Sequence, residues 1–154
     1  MKKYLLLFCC FGSLLLLTGC ENQQNKEYYQ AVEELQSVST FDTEKDFQLE
    51  LSVVPFTDRE LQYQLILDEP NVLMQDIQLL VIHDQETDDI FPSLGILDEK
   101  VTLDPEHMTT KGIILTGYLP NPGDMSLFHA EFRVMLSYTT VDQNVITRNY
   151  QYIY

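Results

Sequence analysis

One turn of the chain carries four carboxylates within six residues, Asp84, Glu86, Asp88 and Asp89. Alternating carboxylates in a turn can place oxygen ligands around a calcium ion. An EF-hand loop begun at Asp84 would need glycine at its sixth position and a bidentate glutamate at its twelfth, but Asp89 and Gly95 stand there. A solvated hairpin turn is therefore the favoured interpretation, and a calcium site is the alternative.

Histidine and methionine side chains offer a second kind of metal site, because imidazole nitrogen and thioether sulfur are ligands of copper. Such a site would draw on His83, His107, Met108, Met125 and His129. These residues are scattered over a loop, a turn and the outward face of a predicted strand, whereas a copper carrier is expected to group them tightly. A metal-handling role, through calcium or copper, is thus the alternative function.

Three polar residues late in the chain, Asp124, Ser126 and His129, have the side-chain types of a hydrolase triad. Triad members meet through the fold and not through local clustering, so their closeness in sequence carries little weight. The chain contains no G-x-S-x-G elbow, H-E-x-x-H helix, S-x-x-K motif or glycine-rich phosphate loop. The sequence therefore predicts a protein that is not an enzyme and needs no cofactor.

A stripe of tyrosines, Tyr150, Tyr152 and Tyr154, ends the chain, which has nine tyrosines and no tryptophan. Tyrosine suits the half-buried face of a strand, and this structural role is the simpler interpretation. Tyrosine also suits recognition surfaces, where a rigid ring with a polar tip contacts protein or glycan. If the stripe is exposed on an edge strand, it is the predicted ligand-binding surface.

The elements that would position these residues are mostly strands, because apolar and polar residues alternate with a period of two. The alternating runs predict strands over 47–53, 61–67, 73–83, 113–119, 128–138 and 145–154, and a weaker edge strand or loop over 90–97. In the third run, Leu80 and Ile82 add apolar side chains on the second face, so we expect a central strand covered on both faces.

These runs are joined by turns and by a connection over 102–111, without crossover helices. The pattern predicts an all-β fold, an antiparallel β-sandwich of about seven strands over residues 46–154. Strand count and size favour an immunoglobulin-like fold, although its cysteine pair and core tryptophan are absent. Alternation alone does not distinguish this fold from other sandwiches with seven or eight strands.

A short helix is predicted before the sandwich, over residues 26–37. Tyr28, Val32 and Leu35 fall at positions i, i+4 and i+7, with glutamates on the other faces. Helices of this length are marginal alone, so this one must pack on the domain or fray. The polar stretch Glu21–Glu27 is predicted to be a flexible tether, with a root-mean-square span of about 15 Å.

The start of the chain has the layout of a secretory signal, with Lys2 and Lys3 before an uncharged apolar run over residues 4–17. The run is shorter than the roughly 20 apolar residues of a transmembrane helix. It ends in Leu17-Thr18-Gly19-Cys20, which resembles the lipobox of bacterial lipoproteins. The resemblance implies a cleaved signal peptide over 1–19 and a diacylglyceryl group on Cys20, which becomes the first residue of the mature chain.

Two alternatives to the lipobox stay open: an ordinary cleaved signal with a coincidental cysteine, and an uncleaved signal anchor. Both would still export the domain. They differ in the membrane attachment, because two acyl chains anchor a protein stably where one chain is marginal. The predicted mature chain would then contain a lipidated cysteine, tether and short helix over 20–45, followed by the sandwich.

Composition limits the partners of the exported domain. Removal of residues 1–19 leaves 135 residues, enough for one domain, and makes the net charge −17 rather than −15, because two lysines are lost. Such a surface repels phosphates, so nucleic acid is a poor partner. Cys9 and Cys10 lie in the signal and Cys20 would carry the lipid, so the core alone must stabilise the domain. The leading prediction is a non-catalytic, lipid-anchored module on the outer face of the cell membrane that binds an envelope protein, a glycan or a small ligand.

Overall fold

The computed structural model describes residues 19–107 and 112–154. The predicted signal peptide therefore lies, except for Gly19, outside the described residues, and so does Met108. In the described part, one long helix precedes eight strands, all of which pair in antiparallel fashion. The all-β fold predicted from the alternation is confirmed.

The helix α1 spans Gly19–Ser37, and a short 3-10 helix spans Met125–Leu127. The strands are β1 Gln48–Pro55, β2 Glu60–Asp68, β3 Met74–His83, β4 Ser93–Leu94, β5 Val101–Leu103, β6 Ile113–Pro120, β7 Glu131–Thr139 and β8 Val145–Ile153. One sheet has the order β1-β2-β6, and the other has the order β4-β3-β7-β8, with β5 also pairing with β3. The buried side chains of the two sheets form one core cluster, so the sheets face each other as in the predicted sandwich.

Alternate side chains of both sheets fill the space between them. Tyr63, Leu65 and Leu67 of β2 and Phe132, Val134 and Leu136 of β7 are among the side chains with almost no exposed surface. Within each strand these residues are two positions apart, as expected where one face of a strand is buried. Burial of each large apolar side chain contributes roughly 1.5–3 kcal/mol to the free energy of unfolding.

The helix α1 packs on the outer face of the larger sheet and forms a third layer. Tyr28, Val32 and Leu35, the predicted apolar stripe, are all buried there against Leu80 and Ile82 of β3. The expectation that β3 is central and covered on both faces is therefore confirmed. Within residues 19–107 and 112–154, no helix is both long and apolar enough to cross a bilayer.

The tether predicted over Glu21–Glu27 is wrong, because α1 begins at Gly19 and runs through this stretch without interruption. Exposed polar side chains support the helix at a spacing of four: Gln23 donates a hydrogen bond to Glu27, and Gln30 donates one to Glu34. Such pairs stabilise a helix by about 0.2–0.5 kcal/mol each. Because these side chains are polar, this part of the helix shows no apolar periodicity from which it could be predicted.

The segment between β3 and β6 also differs from the prediction. Only Ser93–Leu94 of the weak run over 90–97 forms a strand, paired with Leu79 and Leu80. The connection predicted over 102–111 overlaps a further short strand, β5, which pairs with β3. Strands of two and three residues are too short to produce a measurable alternation.

Candidate functional site

A trough lies at the end of the sandwich where β2 begins and where β3 and β6 end. Two adjoining hollows, of about 480 and 450 Å³, form it and share the lining residues Thr87, Asp89 and Tyr118. One wall is the end of β6, residues 116–120, and the opposite wall is the loop after β3, residues 86–92. We call this feature the β6 trough.

The β6 trough follows the strand that forms its wall. Five residues of extended strand cover roughly 16 Å at about 3.3 Å per residue. Arg59 and Glu60, at the start of β2, stand at one end of the trough, while Phe91 and Pro92 belong to the other part. The space is thus elongated and runs alongside the edge of a sheet.

Aromatic side chains form the floor. Tyr63 of β2 lies against His83 and Phe132, with ring centroids 5.5 and 5.2 Å away, and His83 lies 5.0 Å from Phe91. A Cβ atom on Gly117 would come within 2.3 Å of the Tyr63 hydroxyl. Glycine at 117 therefore allows the Tyr63 ring to pass beneath β6 and to reach the trough.

His83 is the polar member of this floor and is only 8% exposed. Its Nδ1 atom has no hydrogen-bond partner among the described residues. Burial among aromatic rings lowers the pKa of His83 below its ordinary value, although the backbone of Gln85 and the charge of Asp84 oppose the effect. The ring is therefore neutral at pH 7, and one of its nitrogens is an acceptor.

The walls of the trough are acidic. Glu60, Glu86, Asp88 and Asp89 line it, with Arg59 as the one cationic side chain among the described lining residues. All five are exposed at the surface. Carboxylates gathered along a cleft raise the local concentration of cationic ligands.

Three of the four carboxylates of the acidic turn, Glu86, Asp88 and Asp89, belong to this wall. Asp84 has a different role, because its Oδ1 atom accepts hydrogen bonds from the backbone N–H of Glu131 at 3.0 Å and from the Gln85 side chain at 2.9 Å. Among residues 19–107 and 112–154, no three His, Cys, Asp or Glu side chains are grouped so that they could hold a metal ion. The calcium alternative gains no support from this geometry.

The candidate copper ligands stay apart. His83 is in the floor of the trough, whereas His129 is exposed just before β7. The Nδ1 atom of His107 lies 2.8 Å from a carboxylate oxygen of Asp104, and this hydrogen bond lowers the pKa of Asp104. Met125 lies in the 3-10 helix. Within the part of the chain that the structure describes, no three His, Cys, Asp or Glu side chains are grouped around any of these histidines.

The residues considered as a triad have a local structural role. The Asp124 carboxylate accepts a hydrogen bond from the backbone N–H of Ser126 at 2.9 Å and thereby caps the 3-10 helix. The same bond is the main reason that the pKa of Asp124 lies below its ordinary value. Asp124 is therefore engaged with the backbone and not with His129.

The tyrosine stripe lies on β8, an edge strand of the larger sheet, and closes the side of the sandwich. The hydroxyls of Tyr150, Tyr152 and Tyr154 donate hydrogen bonds to the backbone carbonyls of Glu44, Leu49 and Leu51, respectively. Tyr150 is 2% exposed, and burial raises its pKa to about 12. The predicted contact surface required an exposed stripe, and this exposure is missing at Tyr150, while all three hydroxyls are occupied.

Sequence reasoning missed most of the trough. Arg59, Tyr63 and Tyr118 come from three separate segments of the chain, and none belongs to a local motif. One signal was present: Tyr118 falls on the outward face of its strand, where it is 40% exposed and its ring centroid lies 5.2 Å from that of Phe56. Outward aromatic pairs on a sheet are candidates for contact surfaces.

No known protein family, curated protein or solved structure matches this chain. The function therefore has to be inferred from the sequence and from the geometry of the β6 trough.

Proposed function

We propose that this chain is an exported lipoprotein, anchored through Cys20 to the outer face of a cell membrane. In this proposal the β-sandwich binds another component of the cell envelope in the β6 trough and catalyses no reaction.

The proposed export and lipid anchoring are supported by the sequence at the start of the chain. Lys2 and Lys3, the apolar run over 4–17 and the four residues ending at Cys20 agree in order and spacing with a lipoprotein signal. A diacylglyceryl group on Cys20 would supply two acyl chains, which suffice for stable anchoring. The acidic surface of the mature chain would then hold the domain away from anionic lipid.

The binding role is supported above all by the β6 trough. Its two parts together are large enough for a ligand of several residues or rings. The floor is aromatic and holds His83, whose buried Nδ1 atom has no hydrogen-bond partner among the described residues, and the walls offer exposed carboxylates. A cleft of this composition can bind a ligand by apolar contact and orient it through a few polar groups.

Binding is proposed rather than catalysis because the polar groups of the trough are not arranged as a nucleophile with a base. The carboxylates of Glu86, Asp88 and Asp89 are exposed at the surface. The metal-handling alternative has no grouped ligands within the described ranges. A non-catalytic binding site is the simplest role consistent with these features.

The proposal is tested by photo-cross-linking in living cells of the source bacterium. A photoreactive phenylalanine analogue replaces Tyr118, which lies in the trough, and in a matched control it replaces Val141, which is exposed in the turn between β7 and β8 at the opposite end of the sandwich. We expect a discrete cross-linked product from position 118 and none from position 141.

A second variant reverses one charge of the trough without changing the cross-linker. Asp89→Lys combined with the analogue at 118 should reduce the yield of the product, because it reverses a charge in both parts of the trough. Absence of any product at position 118, or identical products from both positions, would contradict a specific site in the trough.

A further inference from the structure

The wall of the trough formed by β6 is a free sheet edge. In its sheet, β6 pairs with β2, and no other described strand pairs with it. Among the described residues, no hydrogen bond outside this pairing uses the backbone of residues 113–119. Every second N–H and C=O group of an edge strand points away from its neighbour, so these groups face the trough.

We infer, on the basis of the proposed function, that the trough binds an extended, basic segment of a partner protein, which pairs as an additional strand with β6. Addition of a strand to a free edge supplies affinity through backbone hydrogen bonds, and pockets for alternate side chains supply specificity.

The length of the trough fits a short segment. Its β6 wall covers residues 116–120, and Pro120 has no N–H to donate. Pairing is thus confined to Thr116–Leu119, which corresponds to about four or five residues of the partner. The loop over residues 86–92 faces this stretch and would enclose the added strand on its other side.

The charge of the trough selects a basic segment. Four carboxylates line it against the single guanidinium of Arg59 among the described lining residues. A second copy of this chain is disfavoured as the occupant, because it carries the same net charge of −15, or −17 after loss of residues 1–19. Lysine and arginine side chains at alternate positions of the segment would meet the carboxylates of the loop.

The aromatic floor adds an observation that is independent of the charge. The Nδ1 atom of His83 is buried without a hydrogen-bond partner within the described residues, and His83 lines the trough together with the Thr116–Tyr118 part of the wall. A polar group of the occupant that reaches this nitrogen would satisfy it. Tyr118 and Ile90, exposed on either side, provide apolar contact for the side chains between the charged ones.

The inference is tested with a phage-displayed library of random peptides of about seven residues. The target is the purified full chain in its lipidated form. Selected peptides should be rich in lysine and arginine. The strongest is then synthesised as a series in which one backbone nitrogen at a time is methylated. Strand addition predicts that methylation weakens binding about tenfold or more at every second position and has little effect between them.

Two charge variants locate the site. Asp89→Lys should weaken peptide binding about tenfold or more, whereas Asp142→Lys, in the turn at the opposite end of the sandwich, should leave it unchanged. Thermal unfolding of both variants checks that they are folded.

The outcomes separate this inference from the proposed function. Failure to select any basic peptide, or methylation effects without alternation, overturns strand addition. If position 118 still cross-links a glycan or another non-protein component in cells, the trough is a binding site and only the class of occupant is wrong. If the selected peptides bind equally well to the Asp89→Lys variant, the peptide site does not lie in the trough, and the inference fails.

Discussion

His83 shows how a single side chain can link the trough to the stability of the fold. The ring is buried among Tyr63, Phe91 and Phe132, and one nitrogen lacks a partner among the described residues. Protonation would place a charge in this apolar surrounding, which is unfavourable unless the charge is paired. The folded state therefore prefers the neutral ring.

The lowered pKa of His83 predicts a loss of stability in mild acid. Above its ordinary pKa of about 6.5 the ring is neutral in both the folded and the unfolded states, so this contribution is fully present. As the pH falls below that value, the unfolded chain takes up the proton first, and the free energy of unfolding drops by at most about 1.4 kcal/mol per pH unit until the folded pKa is passed.

Urea unfolding at about pH 7.5 and pH 5.5 measures this effect. His83→Phe keeps an aromatic ring in the floor and should remove most of the difference between the two pH values. His129→Gln, at an exposed histidine, is the matched control and should retain the difference. An equal pH dependence in the wild type and the His83→Phe variant would contradict the role assigned to His83.

The tyrosine hydroxyls of β8 are predicted to contribute to stability and not to binding. Tyr152→Phe should lower the free energy of unfolding by about 1 kcal/mol, because the Leu49 carbonyl loses a hydrogen bond of 2.8 Å. Tyr29→Phe, at an exposed ring on α1, is the control and should change stability little. Unchanged stability with weakened peptide binding would instead favour the stripe as a contact surface.

At the scale of elements, the helix α1 is held by its apolar stripe and connected to the trough. The Tyr28 hydroxyl donates a hydrogen bond of 3.2 Å to the backbone carbonyl of Phe91, in the loop that forms the outer wall. The guanidinium of Arg133 donates hydrogen bonds to the carbonyls of Gln36 and Val38 at the end of the helix. The helix is thus part of the folded domain and supports one wall of the site.

Removal of the central contact of α1 tests this role. Leu35→Ala should lower the free energy of unfolding by about 2–5 kcal/mol, because Leu35 is completely buried against β3. Glu33→Ala changes an exposed position of the same helix and should have little effect. Hydrogen exchange should show loss of protection in α1 and in the loop over 86–92 in the first variant only. Similar protection in both variants would show that the helix does not support the trough.

The elements whose side chains are sorted by burial were predictable from the sequence. The strand around Phe132 and Val134 alternates cleanly, because one face meets the core, and Tyr28, Val32 and Leu35 mark the helix for the same reason. The first turns of α1 were missed because their side chains from Gln23 to Glu27 are all exposed and show no apolar period.

The site was predictable only in part. The loop carboxylates stood out because three of them are close in sequence, but their partners are distant: Arg59 immediately precedes β2, and Tyr118 lies near the end of β6. Their proximity depends on the pairing of β2 with β6 and on the packing of the two sheets. The requirement for glycine at position 117 likewise becomes evident only from the fold, in which the Tyr63 ring lies beneath it. Spacing along the chain contains none of this information.

At the scale of the whole molecule, Cys20, the proposed lipid attachment site, lies in the same helix that packs on the sandwich. The described part of α1, Gly19–Ser37, includes the cysteine proposed to carry the lipid, and its later turns pack on the sandwich that holds the trough. If Cys20 is lipidated, the membrane anchor continues directly into a folded helix and not into a flexible tether.

The most direct test of this account is the mass of the tryptic peptide that contains Cys20, taken from the protein purified from its native host. We predict a peptide that begins at Cys20, ends at Lys26 and carries the additional mass of a diacylglyceryl group. A peptide running unmodified from Tyr4 to Lys26, or a mature chain that begins at any other residue, would contradict the account.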